Sequence, residues 1–236
     1  MRQDSINSMT EKMQMLPLLQ GLTLQEFNQL IINLKLDFHQ YGEGSTIVGQ
    51  GERCSSLIYI INGTFEAEYH DDKRALILSE TINTTPHLIE PYNIFGVKRT
   101  YERTYTSLGG VSTFSISREF FINKMLSIPI LRSNYTNYLC NNLRKSKESE
   151  RFNNPKGIEQ KMIAAIRSFC LFDNGEKNVR ITMNDLADMI DETRLNVSGV
   201  LNKWKKNKQI ELRRYGFTIK NLETLLTSNM DGTNRI

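Results

Sequence analysis

The 236-residue sequence holds only three cysteines, Cys54, Cys140 and Cys170, odd in number and far apart. They make neither a disulfide framework nor a C-x-x-C metal pair. They are too few for a four-thiolate iron–sulfur cluster, and they suit a reducing cytoplasm. Long apolar runs are missing as well. None approaches the roughly 18–20 residues that a membrane-spanning helix needs, so no integral or other membrane association is expected. The opening MRQDSINSMTEKMQ has no uninterrupted apolar core of signal-peptide length, so secretion is not expected and a cytoplasmic location is. Catalytic signatures are absent too: no H-E-x-x-H, no P-loop, no nucleophile–base pattern, no paired carboxylates. The three histidines, His39, His70 and His87, are scattered in contexts that suit loops and surfaces rather than ligation. The expectation is therefore no enzyme, no metal and no cofactor.

What is present is an uneven charge. The whole chain carries a formal +4, but residues 1–150 sum to −1 and residues 151–236 to +5. Between 194 and 214 there are seven bases (Arg194, Lys203, Lys205, Lys206, Lys208, Arg213, Arg214) against one acid, Glu211. Such a run is either a solvated helix face or a surface that neutralises phosphates. The structure that carries it decides between them.

Along the chain, residues 9–36 read as short helices. Thr23 followed by Glu26 is a capping-box pattern, and Phe27, Leu30, Ile31 and Leu34 recur at helical spacing. From Phe38 to Ile116 glycines punctuate short β-rich pieces, with two-residue hairpin signals at Asn62-Gly63 and Gly109-Gly110. Many short strands with frequent turns indicate a sandwich, barrel or jelly roll. Ser117 opens a return to helix. Pro129 suits the first turn of a longer one that runs uninterrupted to about Phe152. Its stripe of Leu131, Tyr135, Tyr138 and Asn142 needs a partner surface, from the β domain and from a second copy of the chain, where Asn142 would fix register. Asn153–Gly157 is the clearest internal boundary.

The most informative segment is Arg180–Ile219. Thr182 with Asp185 caps a short helix, and Asp191-Glu192-Thr193 breaks it. Thr193 then caps a second helix whose Val197, Val200, Leu201 and Trp204 form a buried face. Arg194, Asn196, Ser198 and Asn202 lie off that face. Two short helices across a tight turn make a helix-turn-helix whose second member is placed for a DNA major groove. Ile210–Arg214 and Phe217–Lys220 alternate across Tyr215-Gly216 as a β-hairpin, the wing of a winged helix. The cationic run thus coincides with an architecture that presents cations to a duplex. Candidate DNA-binding residues are Thr182, Thr193, Arg194, Asn196, Ser198, Asn202, Lys203, Lys205, Arg213 and Arg214. An arginine such as Arg194 can read a guanine edge or hold a phosphate, and an asparagine has the amide that pairs with adenine.

The layout resembles the cyclic-AMP receptor/FNR (Crp/Fnr) family of bacterial transcription regulators. Tyr41–Glu52 followed by Leu57–Thr64 is similar to that family's nucleotide-binding β-roll. Ile94-Phe95-Gly96 is similar to the start of its phosphate-binding cassette, the Pro129 helix to its dimerisation helix, and Thr182–Ile219 to its winged helix. The resemblance implies an α+β fold: a cyclic-nucleotide-binding-like β-roll or jelly roll over 1–124, a dimerisation helix over 125–152 and a winged helix-turn-helix over 153–236. It also implies a homodimer on near-palindromic double-stranded DNA, with RNA polymerase as a further partner.

The departures from the family pattern carry information. In nucleotide-binding members a Gly-Glu pair holds the ribose hydroxyl, whereas here Val97 follows Gly96. Arg103-Thr104 stands loosely where the phosphate-binding pair belongs. Arg99, Arg103 and Thr104 are therefore the candidate effector residues, and tight cyclic-AMP binding is not expected. The recognition helix keeps Arg194, but Leu195 and Gly199 replace the family's other two readers. A different operator follows, with Leu195 a candidate for a thymine methyl contact and Gly199 for close backbone approach. The competing reading is a small-molecule sensor with weak or no specific DNA binding.

Overall fold

A computed structural model describes residues 16–33, 36–151 and 157–230. It contains the expected mixture of an antiparallel β-roll, a long helix and a C-terminal winged helix-turn-helix. Two compact units emerge, and they do not follow the chain linearly. One takes residues up to Phe65, Asn83–Glu102 and Thr106–Ser146. The other takes Glu66–Ile82, Arg103–Tyr105 and the chain from Lys147. Residues 66–82 and 103–105, expected with the β-roll, therefore pack with the C-terminal module. The expected boundary at 153–157 lies outside the described residues apart from Gly157.

In the first unit, α1 (Leu24–Asn33) starts on the capping box read from the sequence. The Thr23 hydroxyl accepts from the Glu26 amide at 3.2 Å, and the Glu26 carboxylate accepts from the Thr23 amide at 2.9 Å. Strands β1 (Asp37–Tyr41), β2 (Thr46–Val48) and β3 (Ser56–Asn62) follow. A sheet is built from β1, β8 (Val111–Ser117), β3 and β6 (His87–Ile89) in that order, antiparallel throughout. Tyr59 stands opposite Phe114 across β3 and β8, and their rings stack at 4.7 Å.

The two glycine pairs are not hairpins. The strands that leave Gly63 and enter Gly110 are β4 (Phe65–Asp71) and β7 (Thr104–Ser107), and both belong to another sheet than β3 and β8. The glycines are sheet corners that meet each other. The Leu108 amide donates to the Thr64 carbonyl at 2.9 Å. Gly63 has φ +113°, and a Cβ there would run into the Gly110 carbonyl. A sequence signal for a tight turn does not say which strands the turn joins.

The long helix α2 (Pro129–Arg151) forms as expected, but its stripe is divided. Leu131 and Tyr135 are buried within their own β-roll. The Tyr135 hydroxyl donates to the Pro91 carbonyl at 2.9 Å, and its ring meets Phe121 edge-on at 5.0 Å. These two residues are thus core rather than dimer seam. The β-roll claims them because the first turns of α2 lie on it: the Asn134 amide also donates to the Gln20 carbonyl at 2.7 Å. Tyr138 and Asn142 stay half-buried and hydrogen-bond each other, and Leu143 is exposed.

In the second unit, α3 (Ile158–Arg167), β9 (Lys177–Arg180), α4 (Met183–Met189), α5 (Arg194–Lys206), β10 (Ile210–Arg213), β11 (Gly216–Ile219) and α6 (Leu222–Met230) make a winged helix. Its sheet is extended by a hairpin of β4 and β5 (Leu76–Ile82), giving the order β10-β11-β9-β5-β4. Strand β5 pairs antiparallel with β9, Leu78 opposite Val179 and Glu80 opposite Lys177. Leu76 and Leu78 join Met162, Ile166, Trp204 and Phe217 in one core.

Gly63→Ala forces a side chain onto a left-handed backbone against a fixed carbonyl. It should destabilise the β-roll by about 1–3 kcal/mol. Thermal or urea unfolding checks this, and an unchanged midpoint would contradict the corner contact.

Candidate nucleic-acid interface

The geometry of the interface begins with two helix caps. The Thr182 hydroxyl accepts from the Asp185 amide at 3.1 Å and starts α4. Asp191 takes a left-handed conformation, φ +52°, and turns the chain. The Thr193 hydroxyl accepts from the Asn196 amide at 3.2 Å and starts α5. An uncapped start would leave helix amides without partners, at a cost of about 1 kcal/mol each time a cap is lost. With α5 anchored there, Val197, Leu201 and Trp204 are buried and Val200 packs half-buried against the same core. The caps are those read from the sequence, and so is the apolar face, with Val200 at its edge rather than fully buried.

The wing positions the remaining cations. Arg213 pairs with Gly216 across a two-residue tip, Arg214-Tyr215. Gly216 is required: a Cβ there would collide with the Val179 carbonyl. Arg214 lies over the Tyr215 ring at 5.1 Å from its centroid. A cleft of about 380 Å³ opens between the helix pair and the wing and brings together Thr182, Asn184, Arg194, Arg213 and Arg214. Thr193, Arg194, Asn196, Asn202, Lys203 and Lys205 are exposed, and Ser198 is half-buried.

These exposed groups are not equally free to act. Arg194 and Lys205 make no ion pair among the described residues. Lys203 reaches Glu159 at 2.6 Å, so its charge is partly answered within the fold. The Asn196 side chain donates to Glu192 at 3.2 Å, and Asn202 lies 3.4 Å from the Ser198 hydroxyl. Glu192 in turn accepts from Lys161 at 2.7 Å, and these donors hold its carboxyl below the usual range. On the other side of the wing, Glu68 of β4 pairs with Arg180 at 2.9 Å.

The three expected effector residues part company. Arg99 is half-buried, its carbonyl accepting from the Cys54 amide at 2.9 Å. Thr104 is half-buried at the start of β7. Arg103 is buried: it is 7% exposed, donates to the Phe169 carbonyl at 2.5 Å and lies 3.8 Å from Glu80. Its guanidinium also stands over the Tyr69 ring at 5.4 Å.

Glu80 and Lys177, which no motif or spacing singles out, centre this cluster. They are 1% and 2% exposed and 2.8 Å apart. Glu80 also accepts from the Leu171 and Phe172 amides at 2.7 and 3.3 Å, and Lys177 donates to the Asn174 carbonyl at 2.5 Å. Nearby, burial pushes the Cys170 thiol up to about 12, and the Glu80 carboxylate adds to the shift. It is therefore a thiol at neutral pH and no nucleophile. Burial likewise lowers the His87 ring to about 4. Among the described residues no group of three acidic, histidine or cysteine side chains is placed to hold a metal, and no helix is long and apolar enough to cross a membrane.

Residues 161–227 match the family model of the Crp-like helix-turn-helix domain. The C-terminal unit therefore contains a Crp-like helix-turn-helix domain. Among solved structures, the chain is similar to a transcriptional regulator of the Crp/Fnr family from Eubacterium rectale, with a TM-score of 0.52, 17% identity, and 90% of this chain and 97% of that one covered. It is also similar to the catabolite activator protein of Thermus thermophilus, with a TM-score of 0.49, 17% identity, and 92% and 99% covered. At such identities the first likeness speaks to the fold alone. Among curated proteins none matches the sequence.

Within the Crp-like unit, the buried charges generate a stability prediction. Glu80→Gln or Lys177→Met alone strands its partner in the interior and should cost about 3–5 kcal/mol. Replacing both with apolar residues of similar size should recover much of that loss. Chemical denaturation of the single and double variants checks it, and additive losses would show that the two groups do not act as a pair.

Proposed function

We propose that the protein is a sequence-specific transcription regulator that acts as a homodimer on near-palindromic double-stranded DNA. The observation that carries this reading is the single cleft in which Arg194 at the start of α5 meets Arg213 and Arg214 of the wing. Phosphates flanking a groove are answered by cations on two elements, while the outward face of α5 reaches base edges. Thr182, at a capped helix start beside the cleft, adds a hydroxyl to the same contact surface. Lys205 extends it at the far end of α5, and Lys203 contributes less, given its pairing with Glu159.

Dimerisation is assigned to the part of α2 that its own β-roll does not cover. Tyr138 and Asn142 form a hydrogen-bonded pair there, followed by exposed Leu143. Two such helices would set the recognition helices about 34–36 Å apart, one helical turn of DNA. RNA polymerase is the further partner this reading implies, and the cytoplasm is the matching compartment.

The effector pocket departs from the cyclic-AMP pattern. Val97 after Gly96 is fully exposed and offers no acceptor to a ribose hydroxyl. Arg103 is buried, donates to the Phe169 carbonyl and lies 3.8 Å from Glu80, which disfavours its release to a cyclic phosphate. Calorimetric titration with cyclic AMP should show no binding, and DNA affinity should be unchanged by the nucleotide.

The decisive measurement is binding to duplex DNA across a salt series. Affinity should fall steeply and linearly on a log–log plot, and Arg213→Ala or Arg214→Ala should each make the slope shallower by about 1. A flat salt response would favour a sensor without DNA contact. Sedimentation of the free protein tests the dimer, with Tyr138→Ala expected to weaken it.

A further inference from the structure

The outward ridge of α5 is apolar over its N-terminal half, and the fold does not explain why. At 3.6 residues per turn, Leu195, Gly199, Asn202 and Lys206 lie opposite the buried Val197, Leu201 and Trp204. Leu195 is 81% exposed at the start of this ridge. A lone exposed leucine is ordinary. A glycine one turn further along the same ridge is not.

Gly199 sits in the interior of a 13-residue helix, where glycine costs about 1 kcal/mol relative to alanine. Its φ is not in the left-handed region, and a Cβ built on it meets nothing within 4 Å. This differs from Gly63 and Gly216, where a side chain would strike backbone. Neither conformation nor packing within the chain calls for glycine at 199. What remains is space kept open for something that approaches from outside.

We infer that Leu195 and Gly199 together read the 5-methyl group of thymine in the major groove. The inference rests on the DNA-binding function proposed above and deepens it by naming what the ridge selects. The thymine methyl is the one apolar feature that a base pair offers on that edge, and an apolar side chain is its natural contact. Gly199 lets the α5 backbone come close enough for Leu195 to reach it. The polar neighbours are less suited to set this preference: the Asn196 side chain is held by Glu192, and Asn202 lies beside Ser198. Arg194 on the flank supplies a guanine or phosphate contact beside the methyl site. Specificity is then divided between one cationic and one apolar reader per half-site.

The test uses the full chain and a randomised duplex library. Sequences retained by the protein are determined, and each thymine of the best duplex is then replaced by uracil, which lacks only the methyl group. One or two positions per half-site should lose about three- to tenfold in affinity on this change, the effect expected for one buried methyl. Leu195→Ala should bind the thymine and uracil duplexes equally. Gly199→Ala should raise the thermal midpoint, since it relieves a helix penalty, yet weaken binding to the selected duplex. Circular dichroism verifies that both variants are folded, as their exposed positions require.

If the library yields a consensus but every thymine tolerates uracil, the methyl-reading inference is overturned while the DNA-binding function stands. The same holds if Leu195→Ala keeps the full thymine preference, or if Gly199→Ala binds as tightly as the parent. If the library yields no consensus, the sequence-specific function itself fails and the inference falls with it.

Discussion

The C-terminal unit depends on one buried carboxylate. Glu80 sits on β5, a strand that by sequence order belongs to the β-roll. Its oxygens are taken by Lys177, by the Leu171 and Phe172 amides and, at longer range, by Arg103. Isolated charges of this kind are very costly in an interior, and a pair is tolerated only when hydrogen bonds satisfy the rest. That requirement specifies register. Glu80 must stand opposite Lys177, so Leu78 stands opposite Val179 and Ile77 opposite Arg180. A slip of one residue would place Leu78 on the other face and leave the lysine without its partner. From β9 the order passes to β11 and β10, and from there to the wing tip that carries Arg213 and Arg214. The position of Arg213 and Arg214 is therefore traceable to an ion pair between β5 and β9.

Local physics made the helix-turn-helix legible. Thr182, Thr193 and the apolar spacing of α5 are signals complete within a few residues, and the structure reproduces them; the wing turn is reproduced one residue earlier than read, with its tip at Arg214-Tyr215 and Gly216 already in β11. The Asn62-Gly63 and Gly109-Gly110 signals were equally local, but their meaning was not. Each marks a sharp change of direction, and only the pairing of β3 with β8 shows that the change is from one sheet to another. The β5–β9 contact joins residues almost a hundred positions apart, and nothing in Leu76–Ile82 distinguishes it from an ordinary roll strand. The division of the α2 stripe has the same cause. Periodicity shows that Leu131, Tyr135, Tyr138 and Asn142 share a face, but not where along that face the β-roll stops.

Charge in the C-terminal unit is sorted by depth. Glu80, Lys177 and Arg103 are interior and answer one another. Lys161, Lys203 and Arg180 pair at the surface with Glu192, Glu159 and Glu68. Exposed pairs of this sort contribute little to stability, typically under about 1 kcal/mol, but they fix where positive potential is cancelled. Over 194–214 the positive charge is thus left on Arg194, Lys205, Lys206, Lys208, Arg213 and Arg214, while that of Lys203 is answered by Glu159. A simple count of bases over 194–214 could not distinguish these two classes.

The same sorting bears on the effector reading proposed above. Arg103 stands where the family resemblance expects a cyclic-phosphate ligand. In this chain its guanidinium lies between the Phe169 carbonyl, Glu80 and the Tyr69 ring, and Tyr69 itself stacks on Phe169 at 5.3 Å. Its Nη1 is buried without a hydrogen-bond partner among the described residues and lies 3.8 Å from Glu80, so the guanidinium compensates the buried carboxylate by charge, and withdrawing it would leave Glu80 less well compensated. Under the effector reading proposed above, this side chain would serve the charge cluster on β5 and β9 in place of a cyclic phosphate. A nucleotide that drew on Arg103 would then have to compete with Glu80 for it, and that competition is the physical basis of the expected lack of cyclic-AMP binding.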